Sequence, residues 1–100
     1  MTINIETRKV PGADTKKYRQ KGRSHHNISI YLSSDKESEL DGIDSVQYEL
    51  HPTFKQRIRV SESRSNNFEI RIWTYGYFKI RAKLIQVNGG INVINGFVKW

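Results

Sequence analysis

Two short stretches carry the side chains that could do chemistry: His51-Pro52-Thr53-Phe54-Lys55 and Trp73-Thr74-Tyr75-Gly76-Tyr77-Phe78. They offer the rings of Phe54, Tyr75 and Tyr77, the hydroxyls of Thr53 and Thr74, the imidazole of His51, and a backbone at Gly76 that tolerates close approach or an unusual φ. Neither contains Asp or Glu. Rings and hydrogen-bonding groups without a carboxylate suit a flat, uncharged ligand group that stacks and hydrogen-bonds at once.

Enzyme chemistry finds little support. There is no G-x-S-x-G, no H-E-x-x-H and no glycine-rich phosphate loop, so a non-catalytic chain is expected. The absence of cysteine removes disulfides, thiolate nucleophiles and zinc-thiolate sites. His25 and His26 are adjacent and point opposite ways in an extended chain, and with His51 they do not make metal spacing. No cofactor and no metal are expected. Structural readings stand beside the functional one. Phe54 can cap a core with Tyr75 over it, His51 can bond a loop carbonyl, and Thr53 can bond its own backbone in a turn. Trp73, beside Arg71, can be a cross-strand partner on an outward sheet face.

The elements that must position these stretches read as strands. Thr2 to Val10 places Ile3 and Ile5 on one side and is expected as an edge strand; Pro11-Gly12-Ala13-Asp14 breaks it, and Thr15 to Ser24 is a polar, basic loop. His26 to Ser33 alternates Ile28, Ile30 and Leu32 with Asn27, Ser29 and Tyr31. Ser34 to Gly42 is a charged connection. Ile43 to His51 buries Val46, Tyr48 and Leu50 and stops at Pro52, which cannot donate to a ladder. Gln56 to Glu62 returns antiparallel, with Ile58 and Val60 expected inward. Phe68, Ile70 and Ile72 alternate with Glu69, Arg71 and Trp73. Phe78 to Val87 has the cleanest two-residue period, Asn88-Gly89-Gly90 is a hairpin turn, and Asn95-Gly96 within the last strand implies a bulge or a second tight turn.

Periodicity of two throughout, with no helical pattern beyond one turn, predicts an all-β chain: an immunoglobulin-like β-sandwich of about seven to eight antiparallel strands. Residues 1–100 are expected to form one domain. If consecutive strands run antiparallel, the connections after the first, third and fifth emerge at one pole. Those are the basic loop and the two aromatic turns, so parity alone gathers them at one end.

A net charge of +7 suits an acidic partner, although much of it is local: Arg8, Lys9, Lys16, Lys17, Arg19, Lys21 and Arg23 fall in the first quarter. A mobile basic loop that aids solubility is the favoured explanation, since net charge speaks to association and not to fold. No apolar run is long enough for a transmembrane helix, no membrane partner is expected, and the start lacks the pattern of a secretory signal, which makes a cytoplasmic location the expectation.

Val46-Gln47-Tyr48-Glu49-Leu50-His51-Pro52-Thr53-Phe54 resembles the strand-plus-LHPSF/LHESF signature of YEATS domains. Arg71-Ile72-Trp73-Thr74-Tyr75-Gly76-Tyr77-Phe78-Lys79-Ile80 is similar to that family's G-W/Y-G/A-x-F-x-I stretch, at matching separation, and the His26 to Leu32 strand matches an early family strand. The wording around Phe68 to Phe78 looks most like the prokaryotic branch. The resemblance implies an immunoglobulin-like sandwich whose loops at one pole form an aromatic pocket for acylated lysine, or a similar acyl or amide group, on a partner protein or peptide. Carried over, Phe54 and Tyr75 sandwich the acyl group, the motif histidine is His51, and the Thr53 hydroxyl bonds the amide. A main-chain N–H near Tyr75 and Gly76 meets its carbonyl. Thr74 stands where glycine is common and Tyr77 where a smaller or charged residue is common.

Two other classes compete. A nucleic-acid-binding β module would use the basic loop with Trp73, Tyr75 and Tyr77 as stacking platforms and ranks second. A ligand-less interaction scaffold within a bacterial signalling or defence protein is the third. Sequence does not fix the oligomeric state.

Overall fold

The computed structural model describes residues 3–10, 16–17, 24–52, 54, 56–74 and 76–99. Strands follow the two-residue period: β1 (Asn4–Lys9), β2 (Lys16–Lys17), β3 (Ser24–Ser33), β4 (Ile43–Glu49), β5 (Ile58–Ser61), β6 (Ile70–Thr74), β7 (Phe78–Gln86) and β8 (Ile91–Val98). All pairings are antiparallel. β3 pairs with β1, β2 and β6 in one sheet, and the other has the order β5-β4-β7-β8. The result is an immunoglobulin-like all-β sandwich. Ile28, Ile30, Leu32 and Ile72 of one layer and Val46, Tyr48, Ile80, Ala82 and Leu84 of the other are buried, as their alternation implies. Each large aliphatic side chain removed from water contributes about 1.5–3 kcal/mol to that packing.

A buried hydrogen bond joins the layers. The buried Tyr48 hydroxyl on β4 donates to the Phe68 carbonyl just before β6, at 2.7 Å. Burial pushes the phenol well above the usual tyrosine range, so it stays a neutral donor. Phe68 and the preceding Asn67 both have left-handed backbones, with φ of 58° and 59°. For phenylalanine that conformation costs on the order of 1–3 kcal/mol and needs support from its surroundings. The support is explicit. Phe68 N–H reaches Ser63 O at 2.8 Å, Asn67 N–H reaches Arg64 O at 3.1 Å, and Asn67 O accepts from Leu32 N–H at 3.0 Å. The Phe68 ring is fully buried.

Four expectations are corrected. Ile58 and Val60 point outward, 52% and 53% exposed. Directly opposed residues of an antiparallel pair share a face, and the register sets Tyr48 against Arg59 and Val46 against Ser61. With Tyr48 and Val46 inward, the apolar residues of β5 are forced to the outer side. Secondly, Asn95-Gly96 makes neither bulge nor turn, because β8 pairs with β7 without interruption. Gly96 instead admits β1: a Cβ there would lie 2.9 Å from the Ile5 Cβ. Thirdly, part of the basic loop is strand, with Lys16 opposite His25 and Lys17 opposite Ser24, so β3 starts two residues earlier than its apolar alternation. Lastly, the connection between β3 and β4 contains a single helical turn, α1 (Glu37–Asp41), anchored by buried Leu40. Arg64, in a 3-10 turn at Arg64–Asn66, ties it down through Asp41 Oδ1 at 2.8 Å and the Glu37 carbonyl at 3.2 Å. The hairpin at Asn88 to Gly90 forms as expected: Gly89 has φ +90°, and Gln86 N–H reaches Gly90 O at 2.7 Å. Among the described residues no helix is long and apolar enough to cross a membrane.

On the outer side of the β1-β3-β6 sheet, Ser29 is buried between the register partners Arg8 and Arg71. Its hydroxyl donates to Glu69 Oε2 at 2.5 Å, and Arg71 Nε donates to Oε1 at 3.1 Å. The Ser29 bond, then Arg71, hold the Glu69 carboxyl below its ordinary range against the opposing effect of desolvation. A carboxyl with a lowered folded-state pKa stabilises the fold above its unfolded pKa, and that stability is lost as pH falls through the folded value. Ser29→Ala is therefore expected to move the Glu69 carboxyl titration upward, toward the ordinary range, as followed by 13C NMR; an unmoved titration would dismiss the bond. Gly96→Val is expected to cost about 1–3 kcal/mol in urea unfolding by overpacking Ile5. Adding Ile5→Ala should make the pair less destabilised than the sum of the two single changes.

Candidate functional site

Strand direction brings the two aromatic turns together. β4 ends at Glu49, opposite Ile58 at the start of β5 and Arg81 near the start of β7. β6 ends at Thr74 opposite His26, near the start of β3, and β7 begins at Phe78 opposite Val98. The turn after β4, the turn after β6 and the segment after β1 thus leave the sandwich at one pole, as strand parity requires. β2 lies at the same end: Lys16 is opposite His25, one residue beyond the Thr74 to His26 pair.

The first turn is closed by Leu50 N–H donating to the Arg57 carbonyl, and within it Phe54 N–H reaches His51 O at 3.0 Å. That inner bond folds the chain back so that both rings reach the head of β7. Phe54 lies 5.3 Å from the Phe78 ring, tilted at 51°, and His51 lies 6.4 Å away, edge-on at 68°. Aromatic pairs at such separations contribute about 0.5–1.5 kcal/mol each beyond burial. Phe54 is half-buried against the core, and His51 is exposed.

Thr74 is buried and organises the second turn. Its hydroxyl donates to Gly76 O at 3.2 Å, and the same oxygen accepts the Gly76 N–H at 3.4 Å. Gly76 has no positive φ, and a Cβ there would meet nothing within 4 Å. Its glycine therefore leaves open space beside the backbone, where sequence alone suggested a strained φ or a close approach. Tyr77 is 58% exposed. It lines a groove of about 320 Å³ where the edges of β1 and β8 meet, together with Ile5, Glu6, Thr7, Phe97 and Lys99. That edge is stitched by Thr7 Oγ1, which donates to Lys99 O at 2.6 Å.

The fold thus unites His51 with Phe54 on one ring and Thr74 with Gly76 in one turn, and puts Tyr77 toward the β1/β8 groove. Thr53, Lys55 and Tyr75 lie outside the described residues. Phe78, which sequence assigned to the core alternation of β7, proves to be the shared platform of His51 and Phe54; its place at the strand head beside the second turn was the available signal. The groove joins Ile5 to Phe97 and left no local signal. Glu49, the nearest carboxylate in sequence to the first turn, is occupied by Arg81, whose Nε donates to it at 2.7 Å. No group of three or more His, Asp or Glu among the described residues could hold a metal ion. What the pole offers is π surface, hydroxyl and backbone amide, which is equipment for binding a neutral polar group.

The model of the prokaryotic YEATS domain matches residues 26–95. Among solved structures, the Yaf9 YEATS domain recognizing an H3K122suc peptide superimposes with a TM-score of 0.68 at 19% identity, over 97% of this chain and 69% of that one. The Yaf9 YEATS domain bound to H3K27ac gives 0.68 at 18% identity, over 98% and 69%. The yeast AF-9 homolog protein Yaf9 gives 0.68 at 19% identity, over 98% and 70%. At these identities the likeness is one of fold. Comparison with curated protein sequences finds no match.

Because Phe78 carries rings of the first turn while heading the strand that leaves the second, Phe78→Ala is expected to cost about 3–5 kcal/mol in denaturant unfolding. The His51 and Phe54 ring resonances should lose their ring-current shifts in the same variant. Unmoved resonances would mean the turn is held from elsewhere.

Proposed function

Since the chain belongs to the prokaryotic YEATS domain family, we propose that it is a non-catalytic binding module that takes an acylated lysine, or a similar acyl or amide group, on a partner protein. The observation that carries this reading is the pole itself. Phe54 is half-buried against Phe78, and the Gly76 backbone lies in the other turn with open space beside it. An acylated lysine has lost its charge, so its recognition calls for stacking and amide hydrogen bonds and gains nothing from carboxylates. The Yaf9 YEATS domain, seen with a succinylated and an acetylated histone peptide, supports a modified peptide as the kind of ligand.

The roles follow the chemistry of each group. Phe54 and Tyr75 stack on the two faces of the acyl group, Phe54 braced from behind by Phe78. The Thr53 hydroxyl bonds the amide, and His51 flanks the entrance. Gly76 N–H meets the amide carbonyl; its existing bond to Thr74 is long, at 3.4 Å, and exchanging it for a ligand carbonyl costs little. Thr74 positions that turn, and Tyr77 borders the pocket on the side of the β1/β8 groove.

Titration of the 15N-labelled protein with acetyl-lysine and crotonyl-lysine peptides should shift resonances of residues 51–55 and 74–77, with the unmodified peptide silent. Phe54→Ala and Tyr75→Ala should each weaken binding at least tenfold, about 1.4 kcal/mol. No shift confined to these turns at millimolar peptide would reject the reading. Binding of oligonucleotide that falls steeply with salt would replace it with the nucleic-acid alternative.

A further inference from the structure

The outer side of the β5-β4-β7-β8 sheet is the most unusual surface of the molecule. Cross-strand register places Lys79 beside Phe97, Arg81 beside Asn95, Lys83 beside Val93 and Ile85 beside Ile91. On β8 this leaves Phe97, Val93 and Ile91 exposed at 46%, 50% and 59%, while Ile58 and Val60 are exposed on β5 at the far edge. The face is thus two apolar stripes flanking a polar centre. Arg81 is engaged by Glu49, whereas Lys79 and Lys83 form no ion pair among the described residues.

We propose that this face docks an acidic amphipathic helix of a partner protein, lying along β8 with its apolar side on Phe97, Val93 and Ile91 and its carboxylates over Lys79 and Lys83. Side chains two apart on a strand repeat at ~6.8 Å, and neighbouring strands stand ~4.8 Å apart. A helix repeats its i, i+4 side chains at ~6 Å, close to the strand repeat. An apolar stripe with acidic residues along one flank therefore matches the apolar row of β8 and the lysine row of β7 together. The alternatives fit less well. A second copy would bring Lys79, Arg81 and Lys83 against themselves, which like charge opposes. Phe97 is a single ring at one end of the row, and Val93 and Ile91 offer a nucleic acid no further ring to stack on. The docking face adjoins the proposed acyl-lysine pocket at one corner, where Phe97 and Tyr77 line the same groove, but its apolar row and lysines run away from the pole along β8 and β7 and do not depend on that reading.

The test uses the 15N-labelled full chain and a synthetic amphipathic helix of about five turns, with leucine along one face and glutamate along its flank. Amide shifts should map to Lys79, Lys83, Ile91, Val93 and Phe97. Lys83→Glu and Val93→Ser, both at exposed or half-exposed positions and checked for an unchanged melting curve, should each weaken binding at least tenfold. Phe54→Ala should leave it unchanged, which separates this face from the reading pole. Equal binding of a scrambled peptide of the same composition, or of a lysine-for-glutamate version, would overturn the proposal. So would shifts confined to residues 51–55 and 74–77, or a preference for anionic phosphatidylserine vesicles or duplex DNA over the peptide.

Discussion

The hydrogen bond from the Tyr48 hydroxyl to the Phe68 carbonyl ties the two layers, joining β4 near its end to the chain just before β6. Tyr48 lies one residue before the end of β4 and three before His51, and Phe68 lies just before β6, whose other end at Thr74 opens the second turn. A shift of either strand would separate the turns. The bond also satisfies a buried carbonyl on a residue whose left-handed backbone would otherwise be a liability. Leaving a buried acceptor unpaired costs about 1–3 kcal/mol, more than most single contacts contribute. Burial drives its pKa upward, which keeps the phenol a neutral donor.

The two outer faces meet water in different ways. On the β1-β3-β6 sheet, Glu69 is enclosed by Ser29 and Arg71, and Arg8 lies over the Tyr31 ring at 5.4 Å. That face engages the charged groups of Glu69, Arg71 and Arg8 internally. On the other sheet the β5 register turns Ile58 and Val60 outward, and β8 exposes a second aliphatic row. Scattered exposed apolar residues are ordinary in small proteins, whereas apolar positions aligned beside Lys79 and Lys83 are a patterned surface.

Much of the sandwich was legible because period-two alternation reports local geometry. Ile28 to Leu32, Val46 to Leu50 and Phe78 to Leu84 each declared an inner face, and each is buried. β5 misled because Ile58 and Val60 alternate just as well on an outer face. Which parity points inward was decided by pairing with Tyr48 and Val46, a fact that resides in the register and not in the segment. Gly96 misled for a similar reason. A glycine in a strand signals either a bulge or the approach of another backbone, and only the position of β1 distinguishes them. The candidate site was legible through parity, which needs no side-chain detail. Phe78 as the common platform was not, since an inward residue at a strand end belongs equally to the core and to the turn above it.

A sandwich this filled leaves a ligand little choice of place. The residues between the layers are buried, and the ladders already use the backbone amides of the strands, so neither can receive a peptide group without unfolding. Where strands end at this pole, amides leave the ladder and rings stand partly uncovered. At this pole the Gly76 N–H is held by one long bond to a threonine hydroxyl that also donates to the carbonyl of the same residue. Such a hydroxyl can surrender the N–H and keep the carbonyl, so the turn need not rearrange when a ligand oxygen arrives. Under the proposed reading, affinity is then set chiefly by the rings, and the amide contacts orient a group that stacking has already captured.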